Sequence, residues 1–157
     1  MDSGIIIIGI ITLLICILPF VLMARSRKIK NNQMLHTLAE LAQTKDCKIT
    51  THEFCGELLV GIDENKPYFF LHKQTSNGIT NQAINLSEMK SCEIVNTKYN
   101  RDIVQKLELK FISENTKQAD ILVEFYNRIE NFQLSGEIQL IEKWVELIKE
   151  QIRKPKK

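Results

Sequence analysis

Residues 5–24, IIIIGIITLLICILPFVLMA, contain no charged side chain, and Thr12 is their one clearly polar residue. At about 1.5 Å of rise per residue, a helix of this length crosses the roughly 30 Å of hydrocarbon in a bilayer. A helix buried in a soluble core normally keeps a polar stripe, whereas this segment is apolar on every side. Residues 4–24 are therefore expected to form a transmembrane helix, with 1–3 as a short extracytoplasmic N-terminus. Pro19 falls toward the C-terminal end of the run, where a lost backbone hydrogen bond and a small kink are tolerated.

A cleaved secretory signal is the competing reading. Signal peptides carry a basic start, a shorter apolar stretch and a small-x-small cleavage site. Here the start is MDSG, and Leu22, Met23 and Ala24 put a bulky Leu three residues before the cut, with Arg25 directly after it. Cys16 sits in mid-run, where it would not serve a lipoprotein signal. A retained anchor is the expectation.

Orientation follows from the basic residues. Arg25, Arg27, Lys28 and Lys30 come just after the apolar run, and no Lys or Arg precedes it. The positive-inside rule then keeps the C-terminal side in the cytoplasm, at the inner membrane of the cell. The same four side chains are the candidate contacts with anionic headgroups. Residues 31–152 carry 13 Lys or Arg against 18 Asp or Glu, a net charge of −5, whereas 25–30 and the tail 153–157 carry +4 each. An acidic body with basic ends suits a bilayer surface and excludes nucleic acid, which needs a basic face on the folded part.

Residues 25–45 are expected to form a basic juxtamembrane linker and a short amphipathic helix. Met34, Leu35, Leu38, Leu41 and Ala42 fall at helical spacing over 31–43; this apolar face is expected to pack on the following domain, with the membrane surface and a second copy of the helix as the alternatives. From residue 46 the pattern changes to short β runs. CGELLVGID (55–63), the turn ENKP and YFFLHK (68–73) predict a hairpin, and SNG (76–78) marks the next turn. AINLSEMKSCEIVNTK (83–98) is expected to continue the sheet. QKLELKFIS (105–113) alternates Leu107, Leu109 and Phe111 with Lys106, Glu108 and Lys110, as a half-buried antiparallel strand does, and ILVEFYN (121–127) is its expected partner. The chain closes with a predicted helix over 136–154, whose stripe Ile141, Trp144, Val145, Ile148 and Ile152 opposes a Glu/Lys face, with Ser135 as the expected N-cap.

The fold class is thus α+β: five to seven antiparallel strands and one closing helix over 46–157, preceded by the transmembrane helix. In this order, GELLVGIDENKPYFFL, INLSEMKSCEIV, LELKFIS with ILVEFYN, and IQLIEKWVELI resemble bacterial membrane-anchored versions of the pleckstrin-homology-like (PH-like) superfold. The resemblance implies a curled sheet or partly open barrel plugged by the C-terminal helix, with Trp144, Ile141 and Ile148 in the core. It also implies a module that binds phosphoinositides, peptides or protein partners and seldom catalyses. The basic cluster of phosphoinositide-binding members is not matched, because the corresponding loop IDENKP sets Asp63 and Glu64 against Lys66.

No glycine-rich phosphate loop or paired-carboxylate arrangement is present in the sequence, and no enzyme activity or cofactor is expected. The candidate function is a single-pass, membrane-anchored binding or scaffolding protein, whose partners are the bilayer and either an unidentified protein or a second copy of the chain. The alternative is a membrane-tethered metal-dependent sensor or enzyme using Cys47, His52, Cys55 and His72. Their C-x4-H-x2-C spacing offers soft ligands for zinc but matches no standard zinc motif. Buried cysteines account for the same residues.

Overall fold

The computed structural model describes residues 2–154, with the side chains of residues 2, 3 and 5 left out. The chain divides into two compact units, Met1–His36 and Thr37–Lys157.

A single helix, α1 (Asp2–Gln43), runs through the apolar stretch and on past the basic residues. Residues 6–24 are exposed throughout, and the helix is long and apolar enough to cross a membrane. Thr12 satisfies its hydroxyl locally by donating to the Ile8 carbonyl at 2.8 Å. The expected linker between two helices is itself helical. Residues 20–43 hold neither Gly nor Pro, and Arg, Lys, Leu and Ala all favour helix. Past Gln43 the chain turns at Asp46, whose φ of +52° lets Cys47 N–H reach the Ala42 carbonyl at 2.9 Å.

Within the second unit, β1 (Thr51–Cys55), β2 (Leu58–Asp63), β3 (Tyr68–Thr75) and β4 (Gly78–Asn85) form an antiparallel sheet in sequence order. A second antiparallel sheet contains β5 (Met89–Asn100), β6 (Ile103–Ser113) and β7 (Ile121–Asn127). The two sheets do not close into a barrel. The expected hairpin is β2–β3, in register from Leu58 opposite Lys73 to Asp63 opposite Tyr68. A tighter hairpin precedes it, with Gly56 at φ +60° between Cys55 and Leu58.

The run 83–98 is not one strand. Leu86–Glu88 form a 3-10 turn that carries the chain from the first sheet to the second, capped by Asn85, whose side chain accepts from Ser87 N–H at 3.1 Å. Leu86 is its buried pivot. The strand β4 has few apolar residues because it is an edge strand, and Gly78–Asn81 are exposed.

Leu58, Val60, Ile62, Phe69, Leu71 and Ile84 of the first sheet share a core with Leu107, Leu109, Phe111, Val123 and Phe125 of the second. The helix α2 (Glu137–Arg153) seals this core with Ile141, Trp144 and Ile148, each fully buried. Phe69 links the layers, with its ring centroid 6.1 Å from Trp144 and 5.6 Å from Phe111. The expected Ser135 cap is replaced. Gly136 occupies the N-cap with φ +117°, and the Glu137 carboxylate accepts from Ser135 N–H.

The opposite face of the first sheet is also covered. Leu38 and Ala42, on the predicted apolar face, are buried. Gly61 lies beneath Leu38: a Cβ there would come within 3.2 Å of Leu38 Cδ2 and 3.1 Å of Ile49 Cγ2.

Candidate functional site

The seam between the two sheets holds a network of charged side chains from β3, β6, β7 and the loop after β7. Lys73 projects from β3 on the same side as Phe69 and Leu71, yet its side chain is only 6 % exposed. Such a group is retained only if paired. It donates to Glu124 of β7 at 2.6 Å and lies 2.9 Å from Glu130, in the loop after β7. Lys106 of β6 bonds Glu108 at 2.6 Å and reaches Glu124 at 3.3 Å. Burial pushes the Glu124 carboxyl up, but the hydrogen bonds and charges of Lys73 and then Lys106 outweigh it, so Glu124 titrates below the usual glutamate range. The Glu108 hydrogen bond raises Lys106 above the ordinary lysine value.

These side chains enclose a cavity of about 190 Å³ between the ends of β3 and β4 and the β6–β7 face, with Gln82 and Leu122 in its wall. That is smaller than pockets for drug-sized ligands, at about 300–1,000 Å³. One signal in the sequence points to this cluster: a lysine at position 73 continues the apolar alternation of Phe69 and Leu71.

The residues singled out from sequence are placed as follows. Arg25, Arg27 and Lys28 are exposed on α1, and Lys30 is half-buried. Cys47, His52, Cys55 and His72 do not converge. Cys55 faces the core and His52 is exposed on the same strand, while Cys47 bonds the Lys45 carbonyl. His72 Nδ1 lies 2.6 Å from Asn81 Oδ1. Among the described residues, no group of three or more His, Cys, Asp or Glu is arranged to hold a metal. Burial raises the Cys55 and Cys92 thiols to about 11, so neither supplies a thiolate at neutral pH.

The loop IDENKP is organised by its own acid. Asp63 is buried and accepts from the backbone N–H groups of Lys48, Asn65 and Lys66 at 2.7, 2.9 and 3.2 Å, and Lys66 pairs with Asp46. Lys66 is thereby committed within the fold. The first hairpin proper, at Gly56 and Glu57, carries no Lys or Arg.

No family model, curated protein or solved structure matches the chain.

Proposed function

We propose that this chain is a single-pass membrane protein, with its N-terminus outside and a PH-like module at the cytoplasmic face that binds a partner protein or a second copy of itself and carries out no catalysis. The observation that carries the reading is the exposed apolar stretch of α1 followed at once by Arg25, Arg27, Lys28 and Lys30. The module assignment is supported by strands divided four and three between two antiparallel sheets, followed by a helix that buries Trp144 against Phe69. Buried, high-pKa thiols and dispersed histidines favour binding over a metal-dependent reaction.

Crosslinking the intact protein in its native membrane, followed by identification of the attached polypeptides, tests this reading. The expected result is a discrete partner, or the chain itself, linked through the second unit. Recovery of nothing beyond what an unrelated single-pass protein captures would overturn it.

A further inference from the structure

The seam contains an acceptor that the chain does not satisfy. Gln82 Oε1 is buried in the cavity wall with no hydrogen-bond donor. Glu130 Oε2 is buried too. Lys73 Nζ, 2.9 Å away, is its charge partner. The charged lining comprises Lys73 and Lys106 against Glu108, Glu124 and Glu130, two positive and three negative, a net of −1. The orphaned Gln82 acceptor and the residual negative charge call for the same kind of group, a cationic donor.

Exposed apolar side chains accompany the lining: Leu122 belongs to it, and Ile129 and Phe132 come one residue before and two after Glu130 in the loop that follows β7. Leu122, Ile129 and Phe132 are 49 %, 85 % and 78 % exposed. A hydrogen-bonded turn carries Ile129: the Asn127 carbonyl accepts from Glu130 and Asn131 N–H, and its side chain accepts from Ile129 N–H at 3.1 Å. Arg128 lies over the Phe132 ring, 5.3 Å from its centroid. Beside the cavity, β7 is an edge strand whose outer backbone groups have no ladder partner in its sheet.

We propose that this seam docks an extended segment of a partner protein, which places one Lys or Arg side chain in the cavity and rests its apolar neighbours on Leu122, Ile129 and Phe132. The inference rests on the binding-module reading above. Charge selects the basic side chain, the small cavity admits one such head, and the β7 edge supplies backbone hydrogen bonds to an added strand. An anionic lipid surface is disfavoured by the same negative lining.

The test pans full-length protein in phosphatidylcholine nanodiscs against random dodecapeptides, with counter-selection on empty discs. Enriched peptides are expected to carry Lys or Arg between apolar residues. Glu130→Gln, Gln82→Leu and the surface change Phe132→Ser are each expected to weaken their binding by about tenfold. Enriched peptides without a basic residue, or indifferent to all three substitutions, would refute the seam while leaving a binding module elsewhere on the surface. Failure to enrich any peptide would also refute the seam, and the crosslinking result then decides the wider reading separately.

Discussion

Trp144 donates its indole N–H to the Glu53 carboxylate at 3.0 Å, joining the closing helix to the first strand across 91 residues of chain. Lys143, one position earlier, bonds the same oxygen at 2.7 Å. Glu53→Ala is expected to leave the buried indole N–H without an acceptor and to cost about 1–3 kcal/mol. Glu53→Gln, which keeps an acceptor, is expected to cost less. Trp144→Ala, which also opens a cavity against Phe69, is expected to cost about 3–5 kcal/mol. Chemical denaturation of the three variants ranks them, and equal losses for Glu53→Ala and Glu53→Gln would remove the hydrogen bond from the account.

Lys73 is the only cation that reaches both Glu124 and Glu130 among the described residues. Lys73→Met would set two carboxylates against each other. Breaking a fully buried pair costs about 3–5 kcal/mol, and partial solvation of both glutamates reduces this to about 2 kcal/mol. Adding Glu124→Gln to Lys73→Met is expected to recover part of the loss. A double variant less stable than the single one would contradict the pairing.

Stability should fall on the acid side. Lys143 hydrogen bonding holds Glu53 low, and the lysine contacts hold Glu124 low against its burial. At Asp63, burial pushes the carboxyl up, but three backbone N–H bonds win and leave it low. A depressed folded pKa stabilises above the unfolded value and loses that contribution as pH falls through the folded one. Thermal unfolding midpoints are therefore expected to drop below about pH 4.5, the ordinary glutamate value. Glu124→Gln should flatten the dependence, and an unchanged slope in that variant would remove Glu124 from the explanation.

Gly61→Val tests the covering of the outer sheet face. The added side chain meets Leu38 and Ile49, and overpacking of this kind costs about 1–3 kcal/mol. Val at this strand position would otherwise be favoured. A neutral or stabilising result in denaturant titrations would show that the end of α1 does not press on Gly61.

What was legible in the sequence was periodicity. The alternation of Leu107, Leu109 and Phe111 gave β6, and the stripe from Ile141 to Ile152 gave α2 to within a residue at either end. What was not legible depended on partners distant in sequence. The strand β4 escapes a hydrophobic pattern because it is a largely exposed edge, and the break at Leu86 rests on one asparagine cap. The Ser135 cap fails because a glycine with positive φ follows it and Glu137 reaches back. The Lys73 cluster combines residues from β3, β6, β7 and a loop, and only the lysine on an apolar face hinted at it.

The proposed tethering of the folded unit to the inner membrane face is tested most directly by a new surface thiol. Cys47, Cys55 and Cys92 are all buried, so their silence toward a reagent would carry no information on topology. Ser76 lies on the exposed β3–β4 turn, and Ser76→Cys puts a reactive group there. With an impermeant maleimide on whole cells, the account expects no labelling of this variant until the membrane is permeabilised, on a polypeptide that keeps its apolar N-terminal segment. Labelling on intact cells, or a mature chain lacking that segment, would contradict it.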